Sequence, residues 1–315
     1  MIVKPLEVSK HILQMEALNR RLPAVHPLKE TVNGQARILR AGHNGEAALQ
    51  FPLDFLSYDD FLIFYHLRIP DANGYFQIDA LLLCNNFILI IEVKNIDGEV
   101  YFDDMGQSVR KKEGKEDSLT NPIEQIKLQH VRLLRWLRNF DFPAIPIEKI
   151  AVYTQKTLLK DFTSEKTIKN SVMRMDKLLS RIEEIQLEYT KSCLTDNQVN
   201  ELAIHLLSAH TDETLHVLDK YKISFEELLK GVICPICMAV PMIRAGGKWK
   251  CNVCQQTSKT AHRKDLDDYA LLINEYIGNK ETRDFLLLAS VNIAKNLLNE
   301  YPKRGNNSGR KYYLK

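Results

Sequence analysis

Asp79 and, thirteen residues on, Glu92-Val93-Lys94 place two carboxylates and an amine inside an otherwise apolar stretch. Buried charge is costly unless it is paired or holds a metal. Two carboxylates brought together repel unless a cation sits between them, and Lys94 neutralises only one. A salt bridge from Lys94 to Glu92 or Asp79 is the bland reading; a hard oxygen site for Mg²⁺ suits two carboxylates better. A second constellation is Cys234-Pro-Ile-Cys237 with Cys251-Asn-Val-Cys254, spaced C-x₂-C-x₁₃-C-x₂-C. Two such pairs deliver four thiolates from two tight turns, which suits tetrahedral Zn²⁺ with no open position, hence a structural metal. An iron–sulfur cluster uses the same four donors. A redox pair is the weaker rival, because such motifs normally occur singly. Around the cysteines, Arg244, Lys248, Lys250, Lys259, Arg263 and Lys264 are unopposed by any acidic residue, with Trp249 among them. Cations beside an aromatic suit phosphate contact and base stacking; the alternative is a solvated face with Trp249 filling a small core.

These residues need elements to hold them. Two apolar runs, 75–84 and 87–94, meet at Asn85-Asn86, a pair able to adopt the left-handed positions of a two-residue hairpin turn. Pairing Cys84 with Phe87 then sets Asp79 opposite Glu92 and Gln77 opposite Lys94, where Cβ atoms are ~4.5–5.5 Å apart. Alternation places Leu81, Leu83, Ile88 and Ile90 on one face and Ile78, Ala80, Leu82, Leu89 and Ile91 on the other. A strand apolar on both faces is expected in the centre of a sheet covered by helices. Before this hairpin, 61–69 reads as a strand, Asp71–Gly74 as a turn, and Gly45-Glu46 as the opening of a short helix that stops near Pro52. After it come a polar loop over 103–120, a helix begun by Asn121-Pro122 and strands over 149–154 and 172–175. A helical stretch covers 176–230, with Thr195 and Gln198 at capping-box spacing. Two helices over 265–278 and 282–300 precede a basic tail expected to be mobile.

At this point the residues carry a resemblance. Asp79 with Glu92-Val93-Lys94 resembles the D…(D/E)-x-K motif of restriction-endonuclease-like nucleases. The run QIDALLLCNNFILIIEVKNIDGEV, with Gly45-Glu46 upstream and Asn121-Pro122…Gln125 downstream, is similar to the nuclease-related domain (NERD) family over roughly residues 40–155. The resemblance implies that Asp79, Glu92 and the Val93 carbonyl hold Mg²⁺ or Mn²⁺. It implies that Lys94 orients water or stabilises growing charge, that Glu46 adds a metal or water contact, and that Gln125 supports the site. Gln77 departs from the pattern, since such domains often carry Glu there. The cysteine module is similar to a zinc ribbon.

The remaining arithmetic bounds the answer. With 315 residues, 45% hydrophobic and 26% charged, the chain is an ordinary globular one of about two domains. A net charge of +3 argues no partner by itself. No apolar run reaches the ~18 residues of a membrane span, and the N-terminus lacks a signal core, so the expectation is a cytoplasmic protein without a membrane partner. The expected fold is α/β: a restriction-endonuclease-like mixed sheet flanked by helices. Its organisation is a helical extension (1–39), a NERD nuclease-like domain (40–157), a helical connector (158–230), the ribbon (231–258) and a helical region with the tail (259–315). The last helices suit self-association into a homo-oligomer or DNA binding. The function expected is metal-dependent hydrolysis of phosphodiester bonds in nucleic acid, DNA favoured, with the ribbon aiding binding. The alternative is a non-catalytic nucleic-acid-binding or regulatory protein that keeps the fold.

Overall fold

A computed structural model describes residues 1–57, 60–163, 168, 170–306 and 309–314. The chain forms two compact units. One comprises Met1–Val8 and Leu39–Asp212; the other comprises Ser9–Ile38 and Glu213–Lys315. Helix α2 (Lys29–Ala48) contributes residues to both.

The first unit is a mixed α/β layer structure. Its main sheet has the order β1-β2-β3-β4-β8-β10, built from β1 (Ile2–Lys4), β2 (Leu62–Asp71), β3 (Gly74–Leu83), β4 (Ile88–Lys94), β8 (Ile147–Tyr153) and β10 (Val172–Arg174). Strands β2, β3 and β4 form an antiparallel meander, and β8 and β10 follow in parallel. Ile88 and Ile90 pack with Leu133 and Trp136 of α4 (Pro122–Leu137) and with Leu202 and Leu206 of α6 (Asp196–Ala209). Leu89 and Ile91 pack on the other side, with Leu53 of α3 (Gln50–Leu53) and Ile182 and Ile185 of α5 (Leu178–Glu188). Both faces of β4 are therefore dry, as its two-sided apolar sequence requires. Asn121 caps α4 by accepting from the Ile123 N–H at 2.9 Å, with Pro122 in the first turn.

Three readings change in this unit. The 103–120 segment is no loop: β6 (Ser108–Lys112) and β7 (Lys115–Leu119) form a hairpin in a second sheet, order β7-β6-β5-β9, with β5 (Glu99–Phe102) and β9 (Leu158–Asp161). Its strands carry charge pairs, Arg110 opposite Asp117 and Lys111 opposite Glu116, in place of apolar alternation, and Glu113 and Gly114 both take positive φ at the turn. Gly45-Glu46 does not open a helix; it lies in the last turns of α2. Ile78 packs with Leu81 and Leu83, and not with Ala80 and Leu82. The backbone of His66 is left-handed at φ 51, and the β2–β3 pairing passes from Tyr65↔Ala80 to Leu67↔Ile78. The faces of both strands exchange across that step, so Phe64 and Leu67 share a core with Leu81 and Ile78.

In the second unit, α1 (Lys10–Arg21) is capped by Ser9 and meets α8 (Ala261–Leu272) through ion pairs of Arg20 and Arg21 with Asp268 and of Arg21 with Asp265. Helix α7 (Val217–Tyr221) and the three-stranded sheet β11 (Ile243–Ala245), β12 (Lys248–Lys250), β13 (Thr257–Ser258) lie between them in sequence. The stretch 282–300 is two helices, α9 (Asn279–Leu286) and α10 (Val291–Leu298). Leu287 turns left-handed at φ 56, and Ser290 starts the second by accepting from the Ile293 N–H. The basic tail, apart from residues 307, 308 and 315, which lie outside the described residues, is also structured: β14 (Tyr276–Gly278), β15 (Lys303–Arg304) and β16 (Lys311–Tyr313) form a sheet, order β14-β16-β15, that buries Tyr312 and Leu314. Among the described residues no helix is long and apolar enough to cross a membrane.

Candidate functional site

The β3–β4 register runs as the Asn85-Asn86 turn dictates, from Leu83↔Ile88 to Ala80↔Ile91, and stops one pair short of Asp79 and Glu92. Beyond it β4 keeps only its pairing with β8, which runs the whole strand and sets Glu92 beside Ala151 and Lys94 beside Tyr153, while β3 stays with β2, Gln77 opposite Arg68. The strands fork, so Asp79 and Glu92, and likewise Gln77 and Lys94, are not cross-strand partners. Asp79 bridges the fork, its Oδ2 accepting from the Val93 N–H at 2.9 Å.

Both carboxylates are buried, Asp79 at 9% and Glu92 at 2% exposure. Lys94 Nζ donates at 2.8 Å to Glu92 Oε1 and at 2.8 Å to Gln125 Oε1. Gln129, one turn further along α4, donates to Glu92 Oε2 at 2.7 Å. Glu46 reaches His66 Nδ1 at 3.0 Å. Gln77 Nε2 lies 3.3 Å from that same nitrogen and 3.4 Å from Asp79 Oδ1. One ring nitrogen can donate to Glu46 or accept from Gln77, not both, and the carboxylate is the stronger partner. Burial, then the charges of Glu92 and Glu46, push the Asp79 carboxyl well above its ordinary range, against the Val93 N–H and Lys94. Three carboxylates thus converge, and among the described residues Lys94 is the one lysine or arginine hydrogen-bonded to any of them.

Gly45 explains how Glu46 gets there. A Cβ on Gly45 would lie 2.5 Å from Asn95 Cβ, so the helix can approach the end of β4 only without a side chain at this position. The structure brings Glu46, Asp79, Glu92, Lys94 and Gln125 together, and it adds two residues that the sequence reading missed. His66 was findable: the turn at Asp71–Gly74, read as a hairpin, sets His66 opposite Asp79. Gln129 was findable as the i+4 neighbour of Gln125 on one helix face.

The cysteines meet as a cluster. All four Sγ atoms lie within 4.8 Å of one another, with Cys234–Cys254 at 3.6 Å and Cys237–Cys251 at 3.5 Å. Zn–S bonds of about 2.3 Å in a tetrahedron give S···S near 3.8 Å, so the donor set is compatible with a zinc ribbon. The backbone N–H of Cys254, opposed by desolvation, brings the Cys251 thiol down to about 6. Among the described residues this is the one group of three or more His, Cys, Asp or Glu ligand atoms so closely gathered; the fork carboxylates are more loosely spaced.

Trp249 corrects the expectation of an aromatic contact with nucleic acid. It is 1% exposed, donates from Nε1 to His262 Nδ1 at 3.2 Å and packs into the core of the second unit, so it has no face for a base. Burial lowers the His262 pKa to about 4, which keeps the ring neutral to accept that bond. Arg244 stacks over the same indole at 5.1 Å, and Arg263 is held by both oxygens of Glu300. Lys248, Lys250, Lys259 and Lys264 are exposed.

No curated protein and no solved structure matches the chain. Residues 41–154, which hold Gly45, Glu46, His66, Asp79, Glu92, Lys94, Gln125 and Gln129 but none of the clustered cysteines, match the family model of the nuclease-related domain, NERD.

Proposed function

We propose that the first unit is a metal-dependent nuclease that hydrolyses phosphodiester bonds, with DNA the favoured substrate, and that the ribbon aids nucleic-acid binding. The observation carrying this reading is the charge imbalance at the fork: Glu46, Asp79 and Glu92 against Lys94, inside a span that matches a nuclease-related family. Oxygen donors around uncompensated negative charge fit Mg²⁺ or Mn²⁺. Asp79 and Glu92 would hold the ion, with Glu46 and the Val93 carbonyl contributing. When bound, such an ion polarises the scissile phosphate and lowers the pKa of a bound water. The chain's own residues supply the rest. Gln129 fixes the Glu92 carboxylate, Gln125 and Glu92 aim the Lys94 ammonium, and Lys94 then stabilises negative charge growing on the phosphate oxygens. The four thiolates would hold Zn²⁺ with no open position, a structural role tested by metal analysis of the purified chain.

The test is incubation of the full chain with Mg²⁺ or Mn²⁺ against single- and double-stranded DNA and RNA. Lys94→Ala should slow cleavage about 10²- to 10³-fold, and Asp79→Ala should abolish it. Metal-dependent cleavage that survives in Asp79→Ala and Glu92→Ala would overturn the assignment. Binding without cleavage by the wild type would favour the non-catalytic alternative, for which Gln77 beside Asp79 is the supporting observation.

A further inference from the structure

With Trp249 buried, the ribbon offers cations but no aromatic surface. The sheet made by the tail offers both. Tyr276 lies opposite Tyr313, Gly278 opposite Lys311, and Arg304 opposite Lys311 as well. Alternation therefore puts Tyr276, Tyr313, Lys311 and Arg304 on one face. The other face carries Ile277, Tyr312 and Leu314 into the core of the second unit. The two outer tyrosine rings sit 5.2 Å apart, and Tyr276 is 39% exposed. Gly278 adds no side chain to that face. A cavity of about 370 Å³ opens there, lined by Tyr276, Arg304, Gly305, Gly309 and Lys311. Between Pro302 and Leu314 the charges are Lys303, Arg304, Arg310 and Lys311, with no acidic residue. Glu281 pairs with Lys311 there, its carboxylate lying where a Gly278 Cβ would be; Arg304 is exposed.

We propose that this face binds single-stranded nucleic acid, a base stacking on Tyr276 and Tyr313 while Arg304 and Lys311 hold the flanking phosphates. Aromatic rings accept any base by their π-faces, and cations beside them follow the backbone. A base is available for such stacking only when it is unpaired, so the face selects single strands over duplex. The choice of nucleic acid as the partner rests on the nuclease reading of the first unit; the surface itself does not.

The test is fluorescence anisotropy of the full chain without added divalent metal. The probes are labelled oligothymidylate and oligouridylate of about 15 nucleotides, with a duplex of equal length as control. Wild type should bind either single strand more tightly than duplex, and the tighter of the two identifies DNA or RNA. Tyr276→Ala should weaken single-strand binding about tenfold, and Tyr276→Phe should restore it. Arg304→Ala should lower the slope of log affinity against log salt by about 0.7. Arg304 is solvent-exposed, so this variant decides the matter if Tyr276→Ala does not fold. Single-strand affinity unchanged in both variants would overturn the proposal. Lys94→Ala should bind the oligonucleotide as wild type does while its metal-dependent cleavage slows. A wild type that binds through Tyr276 but never cleaves would therefore remove the nuclease reading and leave this one standing.

Discussion

Each unit buries a cluster of charges, and the two clusters differ in balance. In the second unit Arg20 and Arg21 face Asp265 and Asp268. Arg21 is fully buried and each of its three side-chain nitrogens donates: Nε to Asp268 at 3.0 Å, Nη2 to Asp265, and Nη1 to the carbonyls of Gly231 and Leu229 at 2.9 and 3.2 Å. In the first unit Glu46, Asp79 and Glu92 face Lys94, and Asp79 Oδ1 has only a long contact with Gln77. A raised pKa does not distinguish them, since burial also lifts Asp265, to about 7, against the pull of Arg21. The count of opposing charges does: Arg20 and Arg21 meet two aspartates in the second unit, where Asp265 Oδ2 is nonetheless left without a partner, whereas three carboxylates meet Lys94 in the first. The balanced cluster clamps α1 to α8; the unbalanced one is where the cation is proposed.

Arg21→Met should therefore have the largest effect on stability. It leaves two buried aspartates short of a partner and should cost the second unit about 3–5 kcal/mol. The chain's two tryptophans, Trp136 and Trp249, lie in different units. Trp249 fluorescence in a Trp136→Phe background reads the loss, and a midpoint unchanged in denaturant would mean that the clamp is ornamental.

Gly45→Ala comes next. The added methyl meets Asn95 Cβ, and displacing the helix should cost about 1–3 kcal/mol in the first unit. It should also depress cleavage, because Glu46 moves with it. Stability and turnover equal to wild type would show that α2 can approach the strand end differently.

The smallest stability effect has the opposite sign. Asp79→Asn keeps an acceptor for the Val93 N–H but removes a carboxylate crowded by two others, so the first unit should gain about 1 kcal/mol at neutral pH while losing activity. The native state holds the Asp79 proton above the ordinary 3.8, so it binds more protons than the unfolded chain. This group's contribution is complete in acid and declines as pH rises through the interval between 3.8 and its raised value. Asp79→Asn should flatten that decline in thermal unfolding followed against pH. For the same reason activation should need more Mg²⁺ at about pH 6 than at about pH 8.

How much of this was readable follows from which interactions are local. The cysteine spacing is a local instruction, because each C-x₂-C turn presents both of its thiolates. The β3–β4 register was legible from one turn as far as Ala80↔Ile91. What followed was not, because the step in β2–β3 pairing depends on a left-handed residue at His66, which no local signal marks. The β6–β7 hairpin escaped notice since its strands alternate in charge sign across the pair and not in polarity along the chain. Trp249 beside lysines carried the same sequence signal whether buried or exposed, and only the neutral His262 ring decides between them. The tail carries no strand signal of its own, because its strands are two or three residues long and its partner, β14, follows directly on the helical pattern of α8.

The interleaving of the two units has a consequence for synthesis. Arg21 and Asp268 are 247 positions apart, yet they join in one salt bridge. As the chain leaves the ribosome, the first unit has all of its residues by Asp212, whereas α1 must wait for α8. Until then Met15 and Leu18, wholly buried in the finished protein, have no final resting place. The earliest helix to be made is thus among the last to be secured, and a nascent chain that stops before α8 displays an unfinished apolar stripe to whatever quality-control machinery meets it.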